Sequence, residues 1–160
     1  MNSTTLAARL IDLLKAQKKT VTTVESCTGG LIAGAITAIS GSSEVFETGF
    51  VTYSNAAKTA LVGVPEALFP LYGAVSEEVA SAMAEGGLKV SGADIALSVT
   101  GIAGPTGGSA EKPVGMVCFG LSRRGKTLTR TRQFGNIGRD AVREKSVANA
   151  LQWAIDELSV

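Results

Sequence analysis

The sequence has no histidine. That absence excludes a Ser-His-Asp or Cys-His catalytic site within the chain, and every metal site that needs imidazole. Cysteine is scarce as well. Cys27 and Cys118 are the only two, too few for a four-cysteine zinc site. The four aspartates (Asp12, Asp94, Asp140 and Asp156) are scattered, so a carboxylate cage for a hard cation is not expected. Neither sign of charge dominates. Fifteen basic residues against 14 acidic ones leave a net charge of +1, which gives no electrostatic case for nucleic acid or an anionic membrane as partner. No apolar run reaches the ~18–20 residues of a membrane span. Met1 to Lys19 is an amphipathic helical pattern with Arg9 and Asp12 inside it, not a signal peptide. Two cysteines without a secretory signal fit a reducing cytosol, where both stay thiols. Any acid–base chemistry therefore falls to Lys, Tyr, Asp, Glu or Cys.

Glycine is the residue in excess, with 19 in 160 residues, about 12% against a usual ~7%. The glycines gather in a few loops, so their role is positional. The length suits one domain spanning 1–160. After the first helix, Thr20 to Glu25 is β-branched and reads as a strand. A loop, Ser26 to Gly30, leads into an apolar helix over 31–39. Gly41-Ser42-Ser43 is a turn, 45–53 a strand, 56–62 a short helix, and 65–72 a connector with two prolines. Ser76 caps a helix with Glu77 and Glu78 in its first turn, as the helix dipole prefers, and Gly86-Gly87 weakens that helix near its end. The run 94–99 is a buried strand that empties into the glycine-rich loop Thr100 to Ser109. Segments 114–122 and 127–134 form a hairpin, and 139–158 is the last helix, apolar on one face. The pattern predicts a single-domain, three-layer α/β/α sandwich with a mixed, mostly parallel sheet. Ligands in such sheets sit beyond the carboxyl ends of the strands, where both glycine-rich loops begin.

Several residues could carry chemistry. The loop Ser26 to Gly30 is either an anion cradle of backbone N–H groups or a tight strand-to-helix turn that needs glycine. Nucleophile candidates are Ser26, Cys27, Ser42, Ser43 and Thr100, none in a GxSxG elbow. Without histidine, a hydroxyl needs a lysine or carboxylate as base. Lys58 lies among Ala56, Ala57, Thr59, Ala60 and Leu61, where its amine would be partly desolvated and its pKa lowered, unless it is simply a surface lysine. Tyr53 precedes it at the end of a strand. Cys27 is either reactive or buried. Arg139 and Arg143 stand at a helix N-terminus, where a cation opposes the dipole. They either pair locally, as with Asp140, or hold an anion. Arg123, Arg124 and Lys126 read as a solvated hairpin tip.

Taken in order, these segments resemble the CinA C-terminal domain family, which includes the stand-alone nicotinamide-nucleotide amidases. The matching stretches are Glu25 to Gly30, Gly41 to Ser43, Gly49 through Lys58, Gly73 to Ser76, Thr100 to Pro105 with Gly107-Gly108, Lys112 to Gly115, and Arg139 to Arg143. The resemblance implies hydrolysis of the carboxamide of nicotinamide mononucleotide to nicotinate mononucleotide and ammonia. It implies a Ser-Lys mechanism without cofactor or metal, and a homo-oligomer acting on a small nucleotide. The longer CinA proteins carry a further N-terminal domain, for which 160 residues leave no room. Carried over to this chain, Ser43 is the expected nucleophile, ahead of Ser26. Lys58 is the base and Tyr53 stands alongside. Ser26, Thr28, Gly29, Gly30, Asn55, Thr100, Gly101, Gly104 and Arg139 are expected to contact substrate, with the phosphate met by the glycine-rich loops or by Arg139.

Two other readings stay open at this point: a non-catalytic binding domain of the same family, and an amidase for another small amide. The metal-free expectation has a direct check. Amidase activity is expected to survive exhaustive chelation. A loss that an added divalent ion restores would contradict it.

Overall fold

The computed structural model describes residues 1–160. In chain order its elements are α1 (Ser3–Gln17), β1 (Val21–Glu25), α2 (Leu31–Thr37), a 3-10 turn (Ser42–Glu44), β2 (Gly49–Val51), α3 (Asn55–Val62) and α4 (Leu68–Tyr72). Then follow α5 (Glu77–Ser91), β3 (Ile95–Gly101), β4 (Met116–Arg123), β5 (Lys126–Gln133) and α6 (Arg139–Leu158). The five strands form one sheet in the order β2-β1-β3-β4-β5. β1 pairs parallel with β2 and β3, while β3–β4 and β4–β5 are antiparallel. The pairings thus divide evenly, and only β4 runs against the other four strands.

Strand alternation builds the three layers. Val21, Ile95, Leu97, Val99, Val117, Phe119 and Leu121 point to one face and join a core with α1, α2 and α6. Val24 points to the other face and packs with Val62, Val64, Val79 and Met83 from the α3–α5 side. Residues on this second face are small: Ala96, Ser98, Cys118 and Gly120. They let α5 lie close across β1, β3, β4 and β5. Ser98 Oγ donates to the Ala80 carbonyl of α5 at 2.6 Å. A Cβ on Gly120 would strike that same carbonyl, and one on Gly87 would strike Val24. Gly86 sits equally close to the Val62 carbonyl. The Gly86-Gly87 pair therefore does not weaken α5, which runs through it to Ser91. It is what allows α5 to approach both the sheet and α3.

Two further expectations differ from the structure. The strand over 45–53 shrinks to Gly49–Val51, because Ser42–Glu44 winds into a 3-10 turn and Val45 caps it. β2 is an edge strand with three paired positions. Within the 65–72 connector, Leu68–Tyr72 closes one short helix. The last helix spans Arg139–Leu158 as the periodicity predicts.

β1, β2 and β3 end at the same sheet edge, and this decides where a site can form. Ser26 follows β1, Thr52 follows β2, and Thr100 and Gly101 close β3.

The close approach of α5 predicts opposite outcomes for two glycines. Gly120→Ala overpacks the α5–sheet contact and is expected to cost about 1–3 kcal/mol. Gly34→Ala, in α2 with open space around the added Cβ, is expected to stabilise by about 0.5–1 kcal/mol through helix propensity. Chemical denaturation of the two variants checks the pair. A neutral Gly120→Ala would contradict the packing account.

Candidate active site

The turn after β1 is held by a charged residue inside the protein. Glu25 is fully buried. Its carboxylate accepts from Thr28 Oγ1 at 2.6 Å, from the Ile32 N–H at 2.8 Å and from the Ala33 N–H at 3.0 Å. Two of these are first-turn N–H groups of α2, which would otherwise lack partners. A negative group at that end also matches the helix dipole. The turn closes on itself through Gly29 N–H to the Ser26 carbonyl at 3.0 Å and Leu31 N–H to the Thr28 carbonyl at 2.9 Å. Gly29 and Gly30 have φ of 55° and 104°, which side chains resist. From α6, Arg143 donates to the Cys27 carbonyl at 3.1 Å and to the Thr28 carbonyl at 3.4 Å. Together these bonds hold Ser26 at the end of β1.

Lys58 meets that serine. Ser54 caps α3 by accepting from the Ala57 N–H at 3.0 Å, and Lys58 on this helix faces inward. Its side chain is only 1% exposed. Nζ donates to the Thr52 carbonyl at 2.9 Å and lies 3.1 Å from Ser26 Oγ. No carboxylate forms an ion pair with it; the one ion pair of the chain is Lys15–Glu44. Burial without a counter-charge lowers the Lys58 pKa, against a weak upward pull from Cys27. An amine so placed is a ready proton acceptor for the serine hydroxyl.

A cleft of about 260 Å³ opens onto this pair, lined also by Cys27, Tyr53, Asn55, Ala74, Val75, Thr100, Gly101, Ala103 and Arg139. Thr100 Oγ1 donates to the Ala74 carbonyl at 2.9 Å, joining two walls. Arg139 donates to the Gly104 carbonyl and to Tyr53 Oη, each at 3.0 Å. It spans the mouth of the cleft and does not pair with Asp140. Burial pushes the Cys27 thiol up to about 12, so it stays protonated and is a poor nucleophile. A wider depression of about 800 Å³ lies at the opposite edge, among Lys89, Arg123, Arg124 and Lys126. It holds no buried nucleophile–base pair, so the smaller cleft is the candidate site.

The residues singled out in the sequence divide clearly. Ser26, Lys58, Tyr53, Asn55, Thr100, Gly101 and Arg139 share the cleft. Thr28, Gly29 and Gly30 build the turn behind it, and Gly104 anchors Arg139 through its carbonyl. Ser43 is not brought to Lys58. It is exposed on the 3-10 turn, next to Glu44, which pairs with Lys15 of α1. The serine beside the lysine is Ser26. Sequence reasoning passed over Glu25, whose signal was an acidic residue closing an otherwise buried strand. It also passed over Thr52, Ala74 and Val75, which show no chemical signal because they act through the backbone or as wall.

The chain is similar to known proteins along nearly its whole length. The model of the CinA C-terminal domain matches residues 3–158. The chain is 57% identical over 145 residues to a nicotinamide-nucleotide amidohydrolase PncC of Enterobacter agglomerans, covering 90% of this chain and 88% of that one. It is 53% identical over 148 residues to the protein of that name from Escherichia coli K12, covering 92% and 89%. Among solved structures, the competence/damage inducible protein CihA of Agrobacterium tumefaciens superposes with a TM-score of 0.96 at 46% identity, covering 100% of this chain and 97% of that one. Matched along nearly its whole length in sequence and in fold, the chain belongs to the CinA C-terminal domain family.

Proposed function

We propose that this protein is a nicotinamide-nucleotide amidohydrolase that converts nicotinamide mononucleotide to nicotinate mononucleotide and ammonia, with Ser26 as nucleophile and Lys58 as base. One observation carries the reading: a buried, unpaired lysine amine 3.1 Å from a serine hydroxyl at the floor of a cleft. The substrate class follows from relatives of that name, at 52–57% identity over most of the chain.

In the reaction, neutral Lys58 Nζ takes the Ser26 hydroxyl proton as Oγ bonds to the carboxamide carbon. The carbonyl π pair moves onto oxygen. The tetrahedral intermediate collapses as its C–N bond breaks, and Lys58 returns the proton to the departing nitrogen, which leaves as ammonia. Water then attacks the acyl ester, with Lys58 as base again. The Ser26–acyl bond breaks, Ser26 regains its proton, and nicotinate mononucleotide departs. The Thr52 carbonyl holds Nζ in line through both halves. Tyr53, Asn55, Thr100 and Gly101 line the path of the pyridine and ribose. Arg139, whose guanidinium has five donors and two of them in use, offers the rest to the phosphate. The two free, buried thiols support a reducing cytosol as its place of work, and the resemblance alone supports a homo-oligomer.

Ammonia release from nicotinamide mononucleotide by the purified protein tests the activity. Ser26→Ala is expected to lower kcat by several orders of magnitude. Ser43→Ala is expected to stay near wild type. The reverse pattern would return the nucleophile to the 3-10 turn.

The base makes a separate prediction. The Lys58 pKa is lowered by burial, so its neutral form grows as pH rises through that lowered value. Activity should climb with pH over the same window and level off above it. Lys58→Arg should abolish turnover, because a guanidinium does not deprotonate in this range. An active Lys58→Arg enzyme would reduce Lys58 to a binding cation.

A further inference from the structure

The proposed reaction places negative charge on the carboxamide oxygen, which needs a hydrogen-bond donor beside Ser26. Lys58 Nζ is committed to Ser26 and Thr52. The main-chain N–H of Ser26 is bound to the Val99 carbonyl at 3.0 Å, and that of Lys58 to the Ser54 carbonyl at 3.1 Å. The next residue differs. Cys27 is buried, 6% exposed, and lines the cleft. Its N–H meets no backbone carbonyl and no other residue's side chain. A buried N–H without a real acceptor is rare and costly in a folded protein.

The direction of this N–H is set by its neighbours. In a trans peptide the C=O and N–H point opposite ways. The Ser26 carbonyl accepts from Gly29 inside the turn, so the Cys27 N–H faces out of the turn. The following peptide is pinned too, since the Cys27 carbonyl accepts from Arg143 Nε at 3.1 Å. The second Arg143 bond, to the Thr28 carbonyl, keeps the guanidinium from swinging away. Arg143 itself is absent from the cleft lining. Its function is therefore not explained by substrate contact.

We infer that the Cys27 N–H is the donor that stabilises the tetrahedral oxyanion, and that Arg143 is the positioning residue that holds this N–H on target. This rests on the reading of Ser26 as nucleophile and adds to it the group that accepts the charge. The arrangement is physically economical. The attacking Oγ and the donor N–H belong to adjacent residues of one rigid turn, so neither can shift without the other. Preorganised donors of this kind act on the transition state and not on the bound amide.

The test uses the pyridine-3-carboxaldehyde analogue of nicotinamide mononucleotide. Ser26 Oγ bonds to the aldehyde carbon, the C=O π pair moves to oxygen, and the serine proton passes to Lys58. The new oxygen occupies the oxyanion position. In a crystal structure of the wild-type adduct it should lie about 2.7–3.1 Å from the Cys27 nitrogen. Arg143→Met should lower kcat about 10- to 100-fold, short of the roughly 10²–10³ expected for outright loss of a donor. KM should change little, and the inhibition constant of the aldehyde should rise by the same factor as kcat falls. A merely structural role for Arg143 would lower thermal stability without this matched loss. An adduct on Ser26 with its oxygen against Ala74 or Val75 overturns the inference and leaves the nucleophile standing. An aldehyde that forms no bond to Ser26 overturns both. If Arg143→Met fails to fold, the wild-type adduct decides alone.

Discussion

A carboxylate inside the protein organises everything around the site. Glu25 ends β1, yet its two oxygens reach past the next turn to the first N–H groups of α2. Three donors fill it, and this compensates the removal of a polar group from water. The effect is to lock strand, turn and helix into one unit. A capping bond of this type is worth about 0.5–2 kcal/mol to a helix, and α2, with seven residues, is too short to be stable on its own. Ser26 sits inside that unit and inherits its rigidity. Its orientation is a consequence of how α2 is capped.

Lys58 reaches its place by a separate route. β2 is short and lies at the edge, beside β1. α3 leaves from its end and carries Lys58 back over the sheet edge to Ser26. α3 is in turn supported by α5, which comes close because Gly86 and Gly87 remove the side chains that would hold it off. Lys58 is buried on the inward face of α3, its amine against Ser26 and Thr52. Desolvation, and not a neighbouring charge, sets the lowered pKa.

Much of this was legible in the sequence. The bounds of α6, the Ser76 cap, the β3 strand and the β4–β5 hairpin all follow from periodicity and turn chemistry. Lys58 stood out because a lone lysine among alanines on a short helix is placed to be desolvated. The contact between Ser26 and Lys58 was not legible in the same way. Ser26 and Lys58 are separated by two strand ends and the whole of α2, so their contact exists only once β2 pairs with β1. The family resemblance puts Ser43 ahead of Ser26, but the 3-10 turn carries Ser43 toward α1, away from Lys58. Arg139 was expected to pair with Asp140 or an anion. Within the protein it bonds to Tyr53 and Gly104 across the mouth of the cleft and leaves Asp140 unpaired with it, a tertiary arrangement that no local spacing encodes. Gly86-Gly87 was misread for a related reason: its meaning lies in what packs against it.

The account stands on a covalent bond between Ser26 and the acyl group of the substrate. Rapid acid quench of the enzyme during turnover of nicotinamide mononucleotide, followed by digestion and mass spectrometry, looks for that bond directly. The account predicts a mass increase matching the acyl nucleotide on the peptide that contains Ser26, absent from Ser26→Ala and unaffected by Ser43→Ala. The same increase on the peptide that contains Ser43, or full turnover with Ser26 replaced by alanine, would contradict it.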